Sequence, residues 1–86
     1  MATRVRFIDL YSLCDEVDAN IIENLLDDYD IEYLVRQYDA RSASVAMEGV
    51  VEKMISVEEG RIGEAKQIIK NAIDNGFISE EGEFTA

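Results

Sequence analysis

Hydrophobic and polar positions along the chain follow two periodicities, and the stronger pattern is helical. In residues 15–30, apolar side chains recur at the three-and-four spacing of one helical face: Val17, Ile21, Ile22, Leu25, Leu26 and Tyr29. Asp15 is the predicted N-cap, and Asp18, three positions later, provides a carboxylate version of the capping box. Asp30 is the predicted left-handed terminator, because a short polar side chain tolerates that backbone. We therefore predict a first helix over residues 15–30.

The rest of the chain predicts three strands and a second helix. Residues 5–13, 31–37 and 50–57 are rich in β-branched and aromatic residues, and the second of these segments alternates with a period of two. Residues 58–75 return to helical spacing, with Gly76 as the terminator and with a predicted buried stripe formed by Ile62, Ala65, Ile69, Ala72 and Ile73. We predict one domain over residues 1–78 and a frayed acidic tail over residues 79–86, with residues 77–84 a weak candidate for a fourth strand.

The element order β-α-β-β-α predicts an α+β fold of the ferredoxin-like type. Two helices of similar apolar width would cover one face of a mainly antiparallel sheet in a two-layer sandwich, with the last strand absent or rudimentary. The predicted association surface consists of apolar residues on the uncovered sheet face: Val5, Phe7, Leu34, Val50 and Met54. So much exposed apolar surface predicts self-association or a protein partner, and the first strand is the predicted free edge.

Charge and composition exclude several classes of function. The 86 residues carry a net charge of −11, and the segment from Asp15 to Glu32 contains no basic residue. Such a field repels phosphate backbones and anionic lipids, so we expect neither nucleic acid nor a membrane surface as a partner. No apolar run approaches the ~20 residues that cross a bilayer, and the single cysteine excludes an internal disulfide. We therefore expect a cytoplasmic protein.

Residues able to carry catalytic chemistry are scarce. Histidine is absent, which removes the commonest general base and excludes hydrolases of the triad type. Cys14 is followed by acidic residues that disfavour a second anion, so we predict a packed, unreactive thiol. Asp28, Asp30 and Glu32 alternate, but glycine is missing where a calcium loop requires it. We expect neither a metal nor a cofactor.

One group of residues on and beside the long segment 38–49 is a candidate binding site: Arg36, Tyr38, Arg41, Ser42 and Ser44. Guanidinium, phenol and hydroxyl groups suit an anion or an acidic peptide, although an ordinary solvated loop has the same composition. We predict a non-enzymatic regulatory or interaction module that binds a protein partner or a small ligand through the open sheet face and this loop. The alternative is an enzyme, or an enzyme's accessory subunit, acting on an anionic substrate, which a deep pocket around Arg36 and Arg41 would favour.

Two stretches of the chain resemble a known family. Residues 15–19, DEVDA, followed by Ile22, Leu25, Leu26 and Ile31, resemble the opening of the prokaryotic signal-transducing domain family, a group of small bacterial domains. Residues 57–59, VEE, and the apolar positions after them resemble its closing helix. Glu16 and Glu58 stand where the family commonly has proline, and Asp30 stands in place of its glycine. The family is likened by fold to the PII nitrogen-signalling proteins, which implies a regulatory or binding role.

Overall fold

The fold is described by a computed structural model over residues 5–39 and 51–86, with side chains over 5–37 and 52–86. The elements in the described ranges are β1 (Phe7–Leu13), α1 (Glu16–Asp28), β2 (Tyr33–Asp39), β3 (Val51–Glu58), a 3₁₀ turn (Glu59–Arg61), α2 (Ile62–Asp74) and β4 (Glu83–Phe84). The predicted order is confirmed, and each predicted strand or helix shifts by only a few residues at its ends.

The strands form one sheet in the order β2-β3-β1-β4, and every neighbouring pair is antiparallel. Residues of α1 and α2 share a single buried core with residues of β1, β2 and β3. This arrangement confirms the predicted α+β, ferredoxin-like sandwich, and the two-residue β4 confirms the rudimentary last strand. Of the helices in the described ranges, neither is long and apolar enough to cross a membrane.

The predicted position of β1 at the edge of the sheet is wrong. β4 pairs with Tyr11 and Ser12, and the backbone N–H of Thr85 donates to the carbonyl of Leu10 at 2.8 Å. The chain after α2 therefore returns along β1 and covers the second half of its outer side. On the opposite side of the sheet, β2 is the outermost strand of the described ranges.

A register shift in β1 changes which of its side chains are buried. Asp9 pairs with Ser56, and Tyr11 pairs with Ile55, so Leu10 is the extra residue of a β-bulge. Both Leu10 and Tyr11 are consequently almost completely buried, although a regular strand would send them to opposite faces.

The buried face of α1 is narrower than predicted. Ile22 and Leu26 are fully buried, but Val17 is 66% exposed and Tyr29 is 52% exposed, so their predicted burial is wrong. Val17 lies five residues before Ile22, which places it nearly on the opposite side of the helix. Tyr29 is the C-cap residue, beyond the last regular turn.

The ends of both helices follow the predicted local chemistry. The Asp15 side chain accepts a hydrogen bond from the Asp18 backbone N–H at 3.0 Å, which confirms the N-cap. Asp30 has a φ of 56°, and the N–H of Ile31 donates to the carbonyl of Leu26, as in a Schellman motif. Gly76, with a φ of 77°, ends α2 in the same way.

The segment after α2 makes specific contacts with the start of α1. The predicted second half of the capping box is wrong, because the Asp18 carboxylate accepts hydrogen bonds from the backbone N–H and the hydroxyl of Ser79 at 3.0 and 2.7 Å. The Glu81 carboxylate instead accepts from the backbone N–H groups of Cys14 and Asp15, each at 3.0 Å. Residues 79–86, predicted as a frayed tail, thus supply the capping carboxylate that Asp18 does not.

Candidate functional site

The sheet face that points away from both helices is the candidate site, and we call it the open face. It is defined by alternate residues of the three long strands: Phe7, Asp9 and Ser12 of β1, Leu34 and Arg36 of β2, and Glu52, Met54 and Ser56 of β3. Leu34 is 50% exposed, and Phe7 and Met54 are half-buried. Apolar side chains therefore lie on a sheet surface that no described helix covers.

A polar cluster occupies the middle of the open face. The guanidinium of Arg36 donates to a carboxylate oxygen of Asp9 at 2.5 Å, and the hydroxyl of Ser56 donates to the same oxygen at 2.6 Å. Asp9 and Ser56 are paired residues of adjacent strands, whereas Arg36 reaches Asp9 from β2, across β3. One residue from each of the three strands thus meets at a single carboxylate.

The electrostatics of this cluster hold Asp9 in its charged form. The hydrogen bond from Ser56, with a further contribution from the Arg36 guanidinium, holds the pKa of the Asp9 carboxyl below its ordinary value. Asp9 and Arg36 remain 47% and 59% exposed, so solvent screens the pair and its contribution to stability is small. The pair therefore adds little to the stability of the fold and leaves both charged groups accessible to solvent.

The open face is shallow around this cluster. A wide depression of about 530 Å³ lies over it, lined by Phe7, Ile8, Asp9, Leu34, Arg36, Ser56 and Thr85. A site for a small ligand would normally enclose most of the ligand surface, and this depression is open to solvent. The depression therefore does not enclose a small molecule.

The structure brings part of the predicted binding site together with part of the predicted association surface. Arg36 lies on the open face beside Phe7, Leu34 and Met54, so these residues form one continuous surface. Val5 precedes β1 and is half-exposed. Tyr38 pairs with Glu52 through the backbone of β2, and its side chain lies outside the described ones. Arg41, Ser42, Ser44 and Val50 also lie outside the described residues.

Two residues of the polar cluster are not among the site residues predicted from the sequence. Ser56 carries no recognisable signal, because a serine in an apolar strand is equally compatible with a solvated position. Asp9 does carry one: a carboxylate between Ile8 and Leu10 is costly to bury, so it had to lie on the uncovered face. What the spacing could not show is that Arg36, 27 residues away, reaches it.

The surroundings of Cys14 form a second, acidic hollow at the end of β1. Cys14 is exposed, so the prediction of a packed thiol is wrong. Although the residue as a whole is exposed, partial desolvation of its sulfur raises the pKa of the thiol, and the nearby carboxylates of Glu52 and Glu81 raise it further. A raised pKa keeps the thiol protonated and agrees with the predicted low reactivity. No group of side chains in the described ranges is arranged to hold a metal ion.

A third surface lies between the C-terminal ends of the two helices. Leu25, Tyr29, Ile68 and Phe77 line a groove of about 210 Å³, and Phe77 is 61% exposed. After Gly76, Ile78 is buried and belongs to the hydrophobic core. Phe77 is left at the rim of the groove.

Comparison with known proteins identifies the family. Neither a curated protein nor a solved structure matches the chain. A family model described as "Putative prokaryotic signal transducing protein" matches residues 7–73, which run from β1 into the last turn of α2 and include the whole open face. Because the match covers most of the 86 residues, the chain belongs to this family of prokaryotic signal-transducing proteins.

Proposed function

We propose that this domain is a regulatory interaction module that binds a protein partner through its open face. The observation that carries the proposal is the apolar surface formed by the exposed Leu34 and the half-buried Phe7 and Met54 around the charged pair of Asp9 and Arg36. Protein interfaces commonly combine an apolar centre with a few oriented polar groups. Membership of a signal-transducing family agrees with a role in binding rather than in chemistry.

The charge of the chain limits the kind of partner. With a net charge of −11, the domain attracts a basic surface and repels an acidic one. At the centre of the open face, Arg36 and Asp9 offer one donor group and one acceptor group side by side. The partner that fits best has apolar side chains for the depression and basic residues around them.

The segment 38–49 is included in the proposed surface because its first two residues belong to β2 and the others follow them directly in the sequence. It carries Arg41, Ser42 and Ser44, whose contribution rests on the sequence alone. The same module is compatible with a small anionic ligand that binds these residues and Arg36. Binding of this ligand would then be the signal that changes the affinity of the domain for its protein partner.

An enzymatic function has less support. Ser56 is only 3% exposed and its hydroxyl donates to Asp9, so its oxygen is poorly placed to attack a substrate. The lowered pKa of Asp9 makes that carboxylate a weak general base. The chain has no histidine to take either role.

The proposal is tested by a matched pair of phenylalanine variants. Phe7→Glu places a charge on the open face, and Phe77→Glu places the same charge at the rim of the helical groove. We expect tagged wild type and tagged Phe77→Glu to retain the same protein from a bacterial lysate and tagged Phe7→Glu to lose it. Cross-links between wild type and the retained protein should map to β1 or β2. Thermal melting checks that both variants fold.

Two results would contradict the proposal. Equal retention by all three proteins would show that the open face is not the binding surface. Stabilisation by inorganic phosphate that disappears in Arg36→Gln, without any captured protein, would favour the small-anion alternative.

A further inference from the structure

Along the outer side of β2, none of the strands in residues 5–39 and 51–86 forms a backbone pairing. The N–H of Glu58 donates to the carbonyl of Glu32 at 3.1 Å, and the register continues without a shift to Asp39. In an antiparallel ladder, the backbone groups of alternate residues form hydrogen bonds with the strand on one side. Here the backbone groups of Glu32, Leu34 and Arg36 are the ones that point toward β3. The backbone N–H and C=O groups of Tyr33 and Val35 therefore point away from the sheet, and no strand in residues 5–39 or 51–86 flanks them.

This edge lacks the features that usually prevent strand pairing. β2 has seven residues, no proline and no bulge, whereas β1 is both bulged and partly covered by β4. Natural domains commonly protect long edges with proline, bulges, short strands or charges that cannot be paired. On the open-face side of this edge, by contrast, Glu32 and Arg36 are of opposite sign and equally spaced about Leu34.

The side chains on the open-face side of this edge are complementary to themselves. Glu32, Leu34 and Arg36 are alternate residues on one side of the strand, with the carboxylate and the guanidinium placed symmetrically about the leucine. An antiparallel copy of this segment places Leu34 opposite Leu34, and each Glu32 opposite an Arg36. We infer that two copies of this chain pair β2 to β2 in an antiparallel arrangement, with the two-fold axis at Leu34.

The backbone supports the same register. With the axis at Leu34, Tyr33 lies opposite Val35 of the second copy, and both have their N–H and C=O groups on the outer side. The two symmetric pairs supply about four backbone hydrogen bonds. Tyr33 and Val35 are half-buried against the core, so their side chains also meet as an aromatic and β-branched pair.

Neighbouring registers are less complementary. An axis at Val35 sets Leu34 against Arg36 and removes both ion pairs. An axis at Arg36 sets two guanidiniums opposite each other, which is destabilising. In the structure the Arg36 guanidinium reaches inward across β3 to Asp9, so pairing with Glu32 of the second copy requires this side chain to turn toward the outer edge and release Asp9.

The pairing leaves the open face uncovered and makes it larger. Two sheets joined through β2 form one continuous sheet, and their two open faces lie side by side. The inference therefore goes beyond the proposed function, and either one can fail without the other. A contact this narrow buries less than a standard interface of about 1,600 Å², and two copies that each carry a net charge of −11 repel one another, so we expect a weak and reversible dimer.

Charge reversal at the two complementary positions tests the inference. Sedimentation equilibrium of the full chain, up to about 1 mM because small interfaces associate weakly, should give a dimer for wild type. Glu32→Arg and Arg36→Glu should each weaken dimerisation at least about tenfold, because each variant opposes like charges at both pairs. A mixture of the two variants should regain the dimer mass, since the heterodimer again sets a guanidinium opposite a carboxylate at both pairs. Glu80→Arg and Lys70→Glu make the same charge changes at exposed sites outside β2 and should leave dimerisation unchanged.

Amide hydrogen exchange gives an independent readout of the same edge. In concentrated wild type, the amides of Tyr33 and Val35 should exchange at least about tenfold more slowly than in dilute wild type, whereas those of Leu34 and Arg36 are protected at both concentrations by β3. A monomer mass for wild type at the highest concentration would overturn the inference. A dimer that is unaffected by both charge reversals would also overturn it, because association would then use another surface.

Discussion

Two adjacent leucines in α1 allow the packing of the core to be measured with a built-in comparison. Leu26 is fully buried at 0% exposure, whereas Leu25 is half-buried and lines the groove between the helices. Replacing either leucine by alanine has the same effect on helix propensity, because both occupy interior positions of the same helix. The difference in the free energy of unfolding between the two variants therefore reports packing alone.

The expected magnitudes follow from the burial. Leu26→Ala removes a fully buried side chain and leaves a cavity, which costs about 3–5 kcal/mol. Leu25→Ala loses only part of its buried area and opens into an existing groove, so we expect about 1–2 kcal/mol. A chain of this length has about 4–13 kcal/mol of stability in total, so Leu26→Ala threatens folding and Leu25→Ala does not.

Urea unfolding followed by circular dichroism measures both values, provided that the slope of free energy against urea is the same in each variant. Each kcal/mol should also lower the midpoint of thermal unfolding by about 4–8 °C. Val17→Ala serves as the control, because Val17 is largely exposed, and its effect should stay within about 0.5 kcal/mol. Equal costs for the two leucines, or a larger cost at Leu25, would refute this assignment of the core.

Three further outcomes test the tail, the polar cluster and the cysteine. Gly82→Ala should destabilise the domain by about 1–3 kcal/mol, because a Cβ at Gly82 would overlap the buried Tyr11 ring. An unchanged urea midpoint would show that residues 79–86 do not pack against Tyr11. The lowered pKa of Asp9 stabilises the fold above the pKa of the unfolded chain, near 3.8, and this stabilisation is lost as the pH falls through the folded value. The stability difference between wild type and Asp9→Asn should therefore shrink in acid urea titrations, and a difference that does not vary with pH would contradict the ion pair. Cys14 should react with iodoacetamide more slowly in the folded protein than in urea at pH 8, because its raised pKa lowers the thiolate fraction; equal rates would contradict that shift.

The sequence by itself determined the features that depend on near neighbours along the chain. Asp15 caps the start of α1, and Asp30 and Gly76 terminate α1 and α2. Each acts through contacts within a few residues, as predicted. The element order and the uncovered sheet face also follow from local periodicity, because a period of two separates the two sides of a strand. The family resemblance rests on the same cap and core positions, which explains why it covers most of the chain.

Only the tertiary structure decided which strands are neighbours and which distant residues meet. The bulge at Leu10, the pairing of β4 with β1 and the position of β2 at the edge all depend on hydrogen bonds between remote segments. The cluster at Asp9 joins residues 27 and 47 positions away along the chain. Periodicity indicates which side of a strand is apolar. Backbone hydrogen bonds are alike for nearly every residue type, so the residue pattern of a strand does not identify the strand that pairs with it.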